Sequence, residues 1–173
     1  MDLELKGKRA LVTGGSRGIG KAIARVLARE GADVALLARD PAVLAAAADE
    51  LQAESGRIVV GVSADTRSDE AVKAAVDEAA RRLGGAIDIL VNAAGIMIEA
   101  PIRSVRAPDL DMMHAVNQRG MILVTREALK AMSAGGRIVN IASELAYLGR
   151  QGASGYAATK GATLACSGVA GPK

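Results

Sequence analysis

The chain has 173 residues, half of them hydrophobic and 1% aromatic, and its 22 basic and 19 acidic residues leave a formal charge of +3. That length fits a single domain, and the charges are interspersed along helix faces, with no polybasic tail or stripe to hold nucleic acid. No apolar run reaches the length of a membrane span, the N-terminus lacks the basic-then-apolar pattern of a signal peptide, and the lone Cys166 forms no internal disulfide, so a cytoplasmic protein is expected, with no nucleic-acid or membrane partner.

Strand and helix patterns alternate from the start. Lys8–Thr13 is a short apolar strand ending in a glycine-rich turn. Arg17–Glu30 places Ile19, Ile23, Val26 and Leu27 at helical spacing, and Gly31 stops it. Asp33–Ala38 is the second strand. Asp40 and Pro41 then supply an N-cap and a first-turn proline for a helix to about Ala53. Arg57–Val62 is the third strand, and Thr66 or Ser68 caps a helix through about Leu83. Ile87–Asn92 is the fourth strand. A looser connection over 96–107 leads into a long helix from Pro108 to about Met132, ended by Gly135 and Gly136. Arg137–Ala142 is the fifth strand, and a last helix begins near Ser154.

Each strand-to-strand connection is long enough for a crossover. An α/β fold is predicted, a doubly wound parallel sheet of about five strands, Rossmann-like. Phe and Trp are absent, so the core falls to Ala, Val, Leu and Ile, as in helices packed on a parallel sheet.

Two stretches carry chemistry. The first is Thr13-Gly14-Gly15-Ser16-Arg17-Gly18-Ile19-Gly20, between the first strand and first helix. Glycines allow a sharp turn and let a diphosphate approach a helix N-terminus, whose free N–H groups favour anions. Its spacing is Gly-x-x-x-Gly-x-Gly rather than the commonest dinucleotide fingerprint. At the end of the second strand a ribose 2′-hydroxyl calls for an acid and a 2′-phosphate for a base. Here Ala38 is followed by Arg39, with Arg17 as a second cation, which favours NADP over NAD. The alternative is a solvated Arg39 paired with Asp40 or Asp33.

The second stretch runs from Ser143 to Lys160. Tyr156 and Lys160 are four residues apart and share a helix face, and Ser143 follows the fifth strand. A hydroxyl, a phenol and an ammonium at one point suit proton transfer to or from a carbonyl or alcohol oxygen. His114, on the long helix, has no second histidine or cysteine cluster beside it, so no metal site is expected.

Together these motifs resemble the short-chain dehydrogenase/reductase superfamily, among its members the type that includes 3-oxoacyl-acyl-carrier-protein reductases. The resemblance covers residues 5–165. It rests on the glycine turn, on Asp65 after the third strand, and on Asn92-Ala93-Ala94-Gly95, with Ala93 a departure from the family's second asparagine. It rests also on Asn117, Ser143 and the Tyr156–Lys160 pair, thirteen residues separating Ser143 from Tyr156.

The resemblance implies a catalytic set of Asn117, Ser143, Tyr156 and Lys160. Tyr156 is the proton donor or acceptor and Ser143 holds the substrate oxygen. Lys160 favours the phenolate and binds the nicotinamide ribose, and Asn117 holds a water that extends the proton path. The cofactor residues it implies are Gly14, Ser16, Arg17, Gly18, Ile19 and Gly20 in the turn, Arg39, Asp65 and Thr66 beyond it, and Asn92, Ala93 and Gly95 with Tyr156 and Lys160 near the nicotinamide. It implies a small-molecule carbonyl or alcohol substrate, with a 3-oxoacyl thioester first among them, and a homodimer or homotetramer.

Family members continue past the last helix with two more strands and a loop over the nicotinamide, which this sequence lacks. A single NAD(P)-binding domain over 1–173, incomplete at its C-terminus, is therefore expected. The fifth strand becomes an apolar edge, and Gly168, Gly171 and Pro172 end the final helix near Ser167. A catalytically inactive nucleotide-binding or assembly module stands as the alternative to an active NADP(H)-dependent enzyme, and a nucleic-acid binder as a third.

Overall fold

A computed structural model describes residues 3–168. Five strands form one parallel sheet: β1 (Arg9–Thr13), β2 (Asp33–Ala38), β3 (Val59–Ser63), β4 (Ile87–Asn92) and β5 (Met132–Asn140), in the order β3-β2-β1-β4-β5. The helices are α1 (Gly18–Arg29), α2 (Pro41–Ser55), α3 (Asp69–Arg82), α4 (Ala107–Met113), α5 (Met121–Ala131), α6 (Leu145–Leu148) and α7 (Ser154–Ser167). Gly171 and Pro172 lie outside the described residues.

Alternation along each strand builds a core on each face. Leu11, Leu37 and Leu90 point to one face, where Val72 and Val76 of α3 and Val124 and Ala128 of α5 cover them. Val12, Val34, Leu36 and Val91 point to the other, against Ala24 and Ala28 of α1 and Leu44, Ala47 and Leu51 of α2. Both faces are buried over β1 to β4, which explains why those four strands read as apolar runs, whereas β5 has no buried residue. Alanines on α1 and α2 let those helices lie close to the sheet, so small residues serve where aromatics are missing. Across the outer faces of α1 and α2, Lys21 and Arg25 pair with Glu50, and Arg25 and Arg29 with Glu54.

Local chemistry sets the boundaries. Asp40 caps α2 by accepting from Ala42 N and Val43 N, and Gly56 closes it at φ +66°. Of the two candidate caps for α3, Ser68 does the work, accepting from Ala71 N at 3.2 Å.

Two expectations change. The long helix is not uniformly α-helical: α4 passes into a π-helical segment, His114–Gly120, before α5. The fifth strand starts at Met132 rather than Arg137 and ends at Asn140 rather than Ala142. Gly135 and Gly136, expected to stop the helix, lie inside the strand instead. The helix ends where expected, but at Met132 itself, whose φ −87° and ψ 139° are extended, and not through the glycines. The register then slips, with Met132 opposite Ile87 but Arg137 opposite Ile89. Gly135 takes φ +80° in this bulge, and a Cβ on Gly136 would collide with the Met132 side chain. Ser133 Oγ donates to Asp88 Oδ1 at 2.6 Å and ties the bulge to β4. Among the described residues no strand pairs with the outer side of β5, and Val139 is 48% exposed there.

Candidate active site

The chain reaches β3 at one edge of the sheet and then crosses to β4 beside β1. At such a reversal the helices diverge and leave a crevice beyond the strand ends. A cleft of about 700 Å³ opens there. The turn after β1 forms its floor, with Gly14, Ser16, Arg17, Ile19 and Gly20 in the lining. Gly14 takes φ +67°, and a Cβ on it would stand 2.9 Å from the backbone of Ala94. A Cβ on Gly20 would overlap the carbonyl oxygen of Gly14. Arg17, the residue before α1, makes no side-chain cap, and no acid stands in the first turn of α1. The helix therefore presents uncapped N–H groups where the turn meets the cleft, a site for a phosphate. Gly18 is the first residue of α1 at φ +56° and does not line the cleft.

Arg39, Asp65 and Thr66 line the side of the cleft formed by β2 and β3. Asp65 is ion-paired with Arg67 at 2.5 Å. Arg39 pairs with neither Asp40 nor Asp33. Asp33 is taken by Arg57 at 2.8 Å, and no ion pair of Arg39 occurs among the described residues.

On the other side Ala93, Ala94 and Gly95 follow β4 into the cleft. Thr13 Oγ1 accepts from Ala93 N and Ala94 N, both at 3.0 Å, and pins this segment to β1. Asn92 lies behind it. It is buried, it does not line the cleft, and its Nδ2 donates to Thr125 Oγ1 and Asn140 Oδ1. Its part is to join β4, β5 and α5.

Tyr156 and Lys160 reach the cleft from α7. Lys160 Nζ stands 5.7 Å from the centre of the Tyr156 ring and donates to Ile141 O at 2.6 Å. The lysine is only 5% exposed, and burial pushes its pKa below the ordinary value. The Tyr156 hydroxyl has no hydrogen-bond partner among the described residues. Ser143 lies just past Ile141 and Ala142, which line the cleft, and its Oγ accepts from Leu145 N at 3.2 Å. Asn117 is buried behind Gly95 in the π-helical segment. Its Nδ2 donates to Ile96 O and to Thr159 Oγ1, and its Oδ1 accepts from Ile96 N. Both amide donors are thus taken, which leaves Oδ1 as the side chain's remaining site for a water. Thr159 Oγ1 in turn donates to Tyr156 O. Tyr156, Thr159, Asn117 and Ile96 are thereby connected through hydrogen bonds, while Lys160 is held separately by Ile141 O. No group of His, Cys, Asp or Glu suited to a metal occurs among the described residues.

A family model described as short chain dehydrogenase matches residues 8–169. The chain belongs to that family. It is 37% identical over 162 residues to a 3-oxoacyl-acyl-carrier-protein reductase of Aquifex aeolicus (strain VF5), covering 92% of this chain and 65% of that protein. It therefore spans just under two thirds of the length of that curated relative. A short chain dehydrogenase from Burkholderia cenocepacia J2315, solved in complex with NADP, superposes with a TM-score of 0.88 at 42% identity, over 94% of this chain and 66% of that one. A NAD+-bound xylitol dehydrogenase superposes with a TM-score of 0.89 at 34% identity, over 94% of this chain and 63% of that one.

In this member of the family, three contributors escape a reading of motifs. Thr13 begins the glycine turn yet acts on β4. Thr159 sits beside Lys160 and turns its hydroxyl to Asn117. The carbonyl of Ile141 anchors Lys160. The only sequence signal for Thr13 and Thr159 is a hydroxyl next to a motif residue, and a backbone carbonyl leaves no signal at all.

Proposed function

We propose that the cleft binds NADP(H) and that Tyr156 exchanges a proton with the oxygen of a carbonyl or secondary alcohol. The observation that carries this reading is the Tyr156–Lys160 pair in a cleft floored by the glycine turn at the N-terminus of α1. The cradle at Gly14 and Gly20 has no room for a side chain, which fits a dinucleotide diphosphate lying on the backbone. The nicotinamide, when bound, supplies or accepts the hydride.

The remaining work falls to the chain. In reduction the Tyr156 hydroxyl donates its proton to the carbonyl oxygen, and in oxidation the phenolate takes it back. Lys160 stabilises that phenolate and can hold ribose hydroxyls with its remaining protons. The Ser143 Oγ uses a lone pair on Leu145 N, which leaves its O–H to donate to the substrate oxygen as charge develops there. Asn117 fixes the backbone at Ile96 and offers Oδ1 to a water on the proton path.

The 2′-phosphate form of the cofactor is favoured by Arg17 and Arg39, which line the cleft without ion pairs among the described residues, while Asp40 is held in the cap of α2. A 3-oxoacyl thioester heads the substrate panel, on similarity to the Aquifex relative. A cytoplasmic location and a homodimer or homotetramer belong to the same reading. Ile122 and Leu129, 44% and 39% exposed on α5, support a subunit contact there.

The test is titration of NADPH and NADH by fluorescence, followed by reduction of a carbonyl panel. Tight NADPH binding with turnover supports the proposal. Tighter NADH binding refutes the cofactor preference. Binding without turnover favours the alternative module, for which the edge of β5, unpaired among the described residues, is the supporting observation.

A further inference from the structure

Four charged groups line this part of the cleft: Arg17 from the turn after β1, and Arg39, Asp40 and Asp65 from the β2–β3 side. Two are acids, and each acid is already engaged. Asp40 Oδ1 accepts from Ala42 N at 3.0 Å and Val43 N at 3.1 Å. Asp65 is enclosed by Arg67. Backbone N and Nε of Arg67 donate to Oδ1 at 3.0 Å, while Nε and Nη2 donate to Oδ2 at 2.9 and 2.5 Å. Arg67 is held in place from the other side, since its carbonyl accepts from Arg119 Nη1 at 2.5 Å and its Nη1 lies 3.2 Å from Met112 Sδ. Arg67 itself does not line the cleft.

Arg39 lines the same side of the cleft as Asp65 and has no ion pair among the described residues. The Asp65 carboxyl is held below its usual range by the Arg67 hydrogen bonds first, with Arg39 contributing less. A bare Asp65 would be the natural counter-ion of Arg39 and would repel a phosphate dianion beside it.

We propose that Arg67 determines cofactor specificity: by occupying Asp65 it keeps Arg39 free to bind the 2′-phosphate of NADP(H). Arg67 is a positioning residue, acting through Asp65. The inference rests on the NADP(H) reading above.

The adenosine end can be probed alone. Affinities for 2′,5′-ADP and 5′-AMP are measured by calorimetry on the intact chain, for the wild type, Arg67→Gln, and Arg67→Gln with Asp65→Asn. The wild type should prefer 2′,5′-ADP. Arg67→Gln should cut that preference about five-fold, the scale of one partly exposed charge interaction. Adding Asp65→Asn should restore the preference, because the freed carboxylate is gone. A purely structural Arg67 would weaken both nucleotides alike, with no rescue, and that result overturns the proposal. So does an unchanged preference in Arg67→Gln. A wild type with no preference for 2′,5′-ADP sinks the NADP(H) reading itself, and the role of Arg67 with it.

Discussion

Asn117 closes a ring on Ile96: its Oδ1 accepts from Ile96 N and its Nδ2 donates to Ile96 O, both at 2.8 Å. A side-chain amide pairs here as a neighbouring strand would, and it holds the segment after β4 against the π-helical turn. The third bond, to Thr159 Oγ1, carries the link to α7. Asn117→Ala removes all three and leaves buried Thr159 and the half-buried backbone of Ile96 without those partners. It should cost about 2–3 kcal/mol of folding stability, measured by urea unfolding. A loss under about 0.5 kcal/mol would show that water replaces the amide readily.

The glycine turn gives a steric prediction. Gly20→Ala puts a methyl group against the Gly14 carbonyl, a backbone atom that cannot swing aside. The turn must open, at about 1–3 kcal/mol. NADPH affinity should fall at least ten-fold, by fluorescence titration. Gly18→Ala meets nothing within 4 Å but sits at φ +56°, so its penalty is conformational and smaller, about 1 kcal/mol. Equal effects at both positions would contradict a close Gly14–Gly20 approach.

Thr13→Val keeps the shape of the side chain and deletes one oxygen. That oxygen accepts from the amides of Ala93 and Ala94. The variant should lose about 2 kcal/mol in urea unfolding and show faster hydrogen exchange at those amides. Unchanged exchange there would place the anchor elsewhere.

Burial of Lys160 has a pH signature. The unfolded chain's lysine titrates near about 10.4, and burial lowers the folded value. Between those values the unfolded chain holds more protons, so stability rises with pH across that window. The cost of the buried ammonium is full below the folded pKa and gone above the unfolded one. Relative to Lys160→Met, the wild type should therefore gain in Tm as pH is raised toward 10, at constant ionic strength. A difference independent of pH would contradict a folded-state pKa lowered by burial.

The sheet was legible over β1 to β4 because both its faces are buried there, which turns those strands into apolar runs bounded by glycine, proline or a cap. The pairing of Tyr156 with Lys160 was legible for a similar reason, since a four-residue step on a helix fixes a shared face. What stayed hidden depends on contacts distant in sequence. The slip at Gly135 and Gly136 is tied to Asp88 across the sheet through Ser133, while locally the glycines read as a helix stop. The π-helical turn follows from Asn117 reaching Ile96 and from Gly120, where a Cβ would stand 2.8 Å from Thr66 Oγ1. Asn92 read as a cofactor residue, but its amide turns away from the cleft toward Thr125 and Asn140.

The most direct test of the central claim is Tyr156→Phe, which removes one oxygen from the ring beside Lys160. NADPH oxidation with the best carbonyl of the panel is measured for variant and wild type, together with NADPH affinity. Loss of a positioned proton donor should lower turnover at least about a hundred-fold, with NADPH affinity within about three-fold of wild type. Unchanged turnover in the variant, or no turnover in the wild type with any carbonyl tested, would contradict the assignment of Tyr156 as the acid and base of this chain.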